Sequence, residues 1–230
     1  MCNGGEWNII FPIRSVVEAG MVIKIILALV IAYLLGSIPF AFLVAYLKKK
    51  IDIRRVGTGN VGTMNVAREL GVVPGFVVLG LDMAKAVLAV FVAKWLGLSL
   101  WWVFLVGFAV IVGHSWPVFL KFKGGRGLGP ALGVLLALTP LEFVFIFVLL
   151  LLIFFLTRNS GLSAGIAILV LPLVIWAFGE EIRLIFYPLV LGIFTGLRSV
   201  LALKPNHVKA NLDSNPAFRI YPKFWQKRKK

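Results

Sequence analysis

Long, unbroken apolar blocks dominate the chain and occupy residues 21–47, 72–96, 101–120, 128–156, 161–178 and 184–203. A helix that crosses the hydrocarbon core of a bilayer needs about 20 apolar residues, and each block reaches or approaches that length. Of the 230 residues 60% are hydrophobic and only 14% are charged, which leaves too little polar surface for a water-soluble shell. The expected fold class is an all-α polytopic membrane protein, because only helices or closed barrels satisfy the backbone in lipid.

Charge placement gives the expected topology. Lys48, Lys49, Lys50, Arg54 and Arg55 cluster after the first block, with Arg68 beyond; Lys121, Lys123 and Arg126 follow the third, Arg158 the fourth, and the tail is basic from Lys204 to Lys230. The positive-inside rule assigns all of these to the cytoplasm. An even number of crossings must then separate the 121–126 loop from the tail, yet three blocks lie between them. Pro140 divides 128–156, with Glu142 just after it, and restores parity. About seven transmembrane helices are expected, some short or broken, with the N-terminus outside and the C-terminus cytoplasmic. A re-entrant pair satisfies parity equally, since 128–139 spans only about 18 Å as a helix.

The expected organisation is an extracytoplasmic prefix at 1–20, one transmembrane domain at 21–203 with cytoplasmic loops 48–71 and 121–127, and a basic tail at 204–230. The prefix carries Glu6 and Glu18 against Arg14 and lacks a basic n-region, so it does not read as a signal peptide. The net charge of +15 is read as topology and not as a nucleic-acid surface, for which the chain has no extended water-facing face. The tail, with Phe218, Tyr221, Phe224 and Trp225 among its lysines, is expected to lie on anionic membrane lipid; no obligate protein partner is implied. Cys2 is the only cysteine, so no intrachain disulfide is available.

Two polar loops carry the chemistry. The first, 51–68, combines Gly57, Gly59 and Gly62 with Thr58, Thr63, Asn60, Asn65, Arg54, Arg55 and Arg68. Glycines let backbone N–H groups converge on an anion, and arginine closes over it with a planar fork of donors. The same composition also fits an interfacial turn whose basic residues touch only lipid headgroups. The second loop, 114–129, repeats the logic with Lys123 and Arg126 around Gly124, Gly125, Gly127 and Gly129. No strand precedes it, which excludes a dinucleotide fingerprint, and no Lys-Ser/Thr pair follows, which excludes a Walker loop. His114 sits near the inner end of its block and reads equally as a base or as a structural donor. Asp82 and Lys85, one turn apart inside the second block, read as an ion pair before they read as catalysts. With two histidines and one cysteine, neither a metal nor another cofactor is suggested.

Together these residues resemble the PlsY-type family of bacterial membrane acyltransferases. The resemblance runs from Gly36-Ser37-Ile38-Pro39 through the first loop, Asp82, Lys85 and the second loop to Gly133, and thins beyond residue 160. The family's first loop typically reads Gly-Ser-Gly-Asn-x-Gly-Ala-Thr-Asn-x-x-Arg; Gly57, Gly59, Asn60, Gly62, Asn65 and Arg68 match it, while Thr58 replaces serine and Met64 replaces threonine. In the second loop Arg126 stands where the family has lysine, and Gly129-Pro130 stands for Ala-Thr. The third family motif, His-Arg-Glu-Asn, is poorly reproduced: Arg198 matches its leading arginine without a gap, or Lys204, Asn206 and Lys209 match with a short insertion.

The resemblance implies an enzyme of phospholipid synthesis in the inner (plasma) membrane, its active site facing the cytoplasm, that transfers an acyl chain from acyl phosphate to glycerol 3-phosphate. Thr58, Asn60, Arg68, His114 and Arg126 are the expected catalytic residues. Gly57, Gly59, Gly62, Asn65, Lys123, Gly124, Gly125, Gly127 and Asn206 are the expected substrate contacts. Acyl phosphate carries its own leaving group, so the site has mainly to align the glycerol hydroxyl and neutralise phosphate charge. No Ser-His-acid triad is legible, and no His-x4-Asp pair, since Phe119 lies five places after His114 and Asp213 six after His207. The rival readings are a membrane transporter of an anionic or lipid-phosphate ligand and a non-catalytic binder of one.

Overall fold

The computed structural model describes residues 7–201, and the features below refer to these. All regular elements among them are helical: α1 Trp7–Ser37, α2 Phe40–Lys49, α3 Thr63–Leu70, α4 Val72–Trp95, α5 Leu100–Ser115, α6 Leu128–Leu138, α7 Pro140–Thr157, α8 Ser160–Ala177 and α9 Ile182–Leu201, with 3-10 turns at Ile53–Arg55 and Val118–Leu120. Five segments, 18–49, 72–95, 100–120, 140–157 and 182–201, are long and apolar enough to cross a membrane, and 128–138 and 161–177 are shorter apolar helices. The basic tail and Asn206 lie outside the described residues.

α1, α4, α5 and α6 pack together, α7 pairs with α8, and α9 closes against α6 and α8. Lipid supplies no hydrophobic drive between helices, so contact depends on small residues that admit close backbone approach. Ala28 and Ala32 of α1, Ala86, Ala89 and Ala93 of α4, and Ala131 and Ala137 of α6 are buried accordingly. Gly36 packs on the carbonyl of Val110 and Gly113 on that of Tyr33, so α1 and α5 meet with no space for a Cβ. The large apolar side chains point outward instead: Leu27, Phe91, Phe145, Leu169 and Leu197 are all exposed, as a lipid-facing surface requires.

Two helix breaks position the polar parts. Pro140 divides 128–156 as the sequence suggests: α6 ends at Leu138, about 16 Å long, and Pro140 opens α7 where its missing N–H costs nothing. Lys94 of α4 donates to the freed carbonyl of Ala137 at 2.7 Å. The second break corrects the reading of 21–47 as one continuous block. The chain leaves helix at Ile38-Pro39, because proline disfavours helix in the residue before it, and restarts as α2. The carbonyls of Gly36 and Ile38 then accept from the buried Lys85 Nζ at 2.9 and 3.1 Å, which keeps the break satisfied without water. α1 itself runs unbroken across residue 20.

Candidate active site

The first loop is organised from within. Asp52 accepts from the N–H of Arg54 at 3.0 Å and pairs with its guanidinium at 2.8 Å, starting a 3-10 turn. Asn65, 1% exposed on α3, is the hub. Its Oδ1 accepts from Thr58 N–H at 2.9 Å, and its Nδ2 donates to the carbonyls of Ile53 and Val56, both at 3.1 Å. Gly57 adopts φ +57°, and a side chain there would run into Asn65 Oδ1 and Glu69. The loop therefore wraps one amide side chain, leaves Thr58 exposed and Asn60 half-buried, and hands over through Gly62 to α3, which carries Arg68. Ile53, Val61, Val66, Leu70 and Val78 form a small apolar core beneath it.

The second loop is turned by its own backbone and fixed by packing from outside. After Pro117, Lys121 and Phe122 take left-handed conformations, which turn the chain back so that Gly125 N–H donates to the carbonyl of His114 at 3.0 Å. Gly125 is buried between the His114 ring and the carbonyl of Val61, where a Cβ would collide with both. This contact joins the second loop to the first. Gly127, at φ +88°, starts α6 beside Ser115 and Thr195. Gly124 packs on Pro117, while Lys123 is exposed at the rim.

Of the expected catalytic residues, Arg68 and Arg126 lie near enough for their charges to interact. Arg126 is half-buried, and burial and then the charge of Arg68 push its pKa down from the ordinary guanidinium value. His114 points into the protein. Its Nδ1 lies 3.3 Å from Asp82 Oδ1 and 3.2 Å from Lys85 Nζ. Lys85 and Asp82 approach to 2.7 Å with the geometry of an ion pair rather than an aligned hydrogen bond. The i, i+3 pair expected in α4 is thus a triad with His114, and it ties the α1–α2 break to the end of α5. A buried charge cluster of this kind is tolerable in a membrane because each member is partnered.

A profile of the family described as glycerol-3-phosphate acyltransferase matches residues 26–209. The chain belongs to the glycerol-3-phosphate acyltransferase family. It is 41% identical over 186 residues to glycerol-3-phosphate acyltransferase 1 of Dehalococcoides mccartyi, covering 78% of this chain and 89% of that one. Similarity to glycerol-3-phosphate acyltransferase 2 of Moorella thermoacetica is 44% over 153 residues, with 66% and 78% covered. The fold is similar to the crystal structure of PlsY, an integral membrane glycerol 3-phosphate acyltransferase, in its glycerol 3-phosphate form, with a TM-score of 0.70, 36% identity and coverage of 77% and 88%. The lysophosphatidic acid form of the same enzyme matches with a TM-score of 0.68 and coverage of 76% and 87%. This glycerol-3-phosphate acyltransferase is accordingly an integral, multi-pass membrane enzyme.

Three residues that sequence reasoning did not place in the site adjoin it. Ser115 and Thr195 flank Gly127, and Arg198 donates to the carbonyl of Gly125 at 3.2 Å. The family's third motif pointed at Arg198 only as one of two alignments; nothing in its apolar surroundings marks it as facing the loops. On the membrane side of Thr195 an apolar cleft opens between α6, α7, α8 and α9, lined by Leu132, Leu135, Ile146, Leu171 and Leu191 among others.

Proposed function

We propose that this enzyme moves an acyl chain from acyl phosphate to a hydroxyl of glycerol 3-phosphate, releasing lysophosphatidic acid and inorganic phosphate. The observation that carries the reading is the approach of Arg68 and Arg126, each on its own loop, where the loops meet at Val61 and Gly125. In the reaction the glycerol hydroxyl attacks the acyl carbon, the bond from that carbon to the phosphate oxygen breaks, and the leaving phosphate takes the hydroxyl proton. No protein base is required, in accord with a His114 already engaged by Asp82 and Lys85. Arg68 and Arg126 neutralise phosphate charge, while Thr58, Asn60, Lys123 and the N–H groups of Gly57, Gly62, Gly124 and Gly127 orient the anions; Gly59, whose N–H donates to the Val56 carbonyl, holds the turn that presents them. Asn65 and Gly125 shape the loops that present them. The apolar cleft under Thr195 takes the acyl tail.

Seven apolar segments, five long and two short, support seven crossings of the inner (plasma) membrane, with the N-terminal prefix outside, loops 48–71 and 121–127 in the cytoplasm and the basic tail on anionic lipid. Purified protein supplied with acyl phosphate and glycerol 3-phosphate should release inorganic phosphate and lysophosphatidic acid in equal amounts. Saturable uptake of glycerol 3-phosphate into liposomes without loss of the acyl group would refute the enzyme, and equal turnover with acyl-CoA would refute acyl phosphate as the dedicated donor.

A further inference from the structure

Three arginines of the site lie near enough to feel one another's charge. Arg126 lies within Coulombic reach of Arg68 and of Arg198. Arg198 belongs to the last turn of α9, and its guanidinium is fixed before any substrate arrives. Nη2 donates to the carbonyls of Ser115 and Gly125 at 3.1 and 3.2 Å, and the guanidinium carbon sits 4.4 Å from the centre of the Trp116 ring. Trp116 is anchored in turn by the Tyr33 hydroxyl, which donates to its carbonyl at 2.8 Å, and by the edge of Phe194. An arginine held this way loses little conformational freedom when it binds a further group.

Those contacts leave specific atoms over. Nε of Arg198, Nε of Arg126 and Oγ of the fully buried Ser115 have no hydrogen-bond partner among the described residues. A buried donor left unmade is costly, and more so when it belongs to a charged group. Here all three belong to residues gathered around the second loop. Two are cationic and already repel each other, so the group that satisfies them is an anion.

Charge and shape say which anion. A phosphate monoester carries roughly −1.5 to −2 near neutral pH, so acyl phosphate and glycerol 3-phosphate together bring roughly −3 to −4. Arg68 and Arg126 alone supply two positive charges. Arg198 brings the positive charge closer to that total, and Arg126 is within reach of both other arginines. Arg198 stands close to the apolar cleft: Thr195, one turn before it on α9, lines that cleft and touches the space beside Gly127. Only the acyl donor has a long apolar tail attached near its phosphate. Glycerol 3-phosphate, without a tail, is left to Arg68 and the first loop.

We propose that Arg198 is a substrate-binding residue that, with Arg126 and the Ser115 hydroxyl, holds the phosphate of the acyl donor, the group that departs as inorganic phosphate. This rests on the acyl-phosphate reading above. The test varies donor and acceptor separately with purified full-length protein in detergent. Arg198→Gln keeps a donor for the two carbonyls and removes the charge; it should raise KM for acyl phosphate at least about tenfold and change KM for glycerol 3-phosphate less than about threefold. Arg198→Lys should recover part of the loss, and Ser115→Ala should raise the donor KM by about threefold. Equal rises in both KM values, with Arg198→Lys no better than Arg198→Gln, would overturn the proposal and leave Arg198 a clamp on the second loop. Direct titration with inorganic phosphate separates the two readings. If wild-type protein does not use acyl phosphate but binds inorganic phosphate, and Arg198→Gln weakens that binding about tenfold, the donor assignment falls and the anion contact stands. If Arg198→Gln binds inorganic phosphate as wild type does, the anion contact falls whatever the donor.

Discussion

The two glycine-rich loops share a composition and differ in what holds them. The first is closed by its own residues: Asn65 gathers Ile53, Val56 and Thr58, and Asp52 caps the turn through Arg54. The second is turned by backbone bonds of its own, from Leu120, Phe122, Lys123 and Gly125, but among the described residues no side chain within it plays the part of Asn65. Its shape comes from Gly125 pressed between His114 and Val61, from Gly127 set against Ser115 and Thr195, and from Arg198 reaching over from α9. A phosphate cradle can thus be built by short-range hydrogen bonds or by the convergence of distant helices, and one chain here uses both. The local loop should survive small errors in helix packing, and the assembled loop should not.

The largest effect tests the assembled loop. Gly125→Ala places a methyl group against the His114 ring and 2.7 Å from the backbone carbonyl of Val61, which has nowhere to yield. Turnover should fall by about a hundredfold, the usual result of an ångström-scale displacement near the reacting atoms. Gly80→Ala, in α4 with open space around it, is the matched control and should be close to neutral in activity. Loss of activity in both would show general fragility and erase the contrast.

Next in size is Asn65→Ala, which unpartners the Thr58 N–H and two carbonyls at a cost of about 1–3 kcal/mol and should lower turnover by roughly thirtyfold. Amide exchange sharpens the comparison. Asn65→Ala should accelerate exchange at Thr58 and leave Gly125 protected, and Gly125→Ala should do the reverse; joint loosening in either variant would mean that the loops are one unit.

Arg68→Ala and Arg126→Ala should each cost at least about tenfold in turnover, about 1.4 kcal/mol, with membrane insertion unchanged. Full activity in either would remove that arginine from the site. The smallest effect lies in the cap of the first loop. The hydrogen bond from Arg54 holds the Asp52 carboxyl below its ordinary pKa, so its contribution is complete above about pH 3.9 and is lost as pH falls through the depressed folded value. The pair is partly exposed to water, so Asp52→Asn should shift stability by only a few tenths of a kcal/mol at pH 7 in a thermal melt, and less at pH 3. A shift that grew on acidification would contradict the sign of this pairing.

Sequence reading reached different depths in different places. Pro140 was legible as a break because an acidic residue and the parity of the basic loops flanked it. The break at Ile38-Pro39 was not, because apolar residues on both sides hide a proline from any hydropathy average, and the cation that satisfies it, Lys85, lies on another helix. The Asp82–Lys85 pair was legible from its one-turn spacing, but its third member, His114, is brought in only when α4 meets α5. Arg68 and Arg126 were singled out by residue type within glycine-rich loops, whereas Arg198 sits in an apolar helix and enters the site by the direction α9 takes.

By itself, the sequence determined that the chain lives in a bilayer and where its break at Pro140 and its basic loops fall, since apolar run length and charge placement are properties of the local chain. Tertiary structure alone decided that the two loops touch, that His114 faces Asp82 and Lys85, and that Arg198 reaches the second loop. Those outcomes depend on small residues letting particular helix backbones approach, and the register of such contacts is set by the whole bundle.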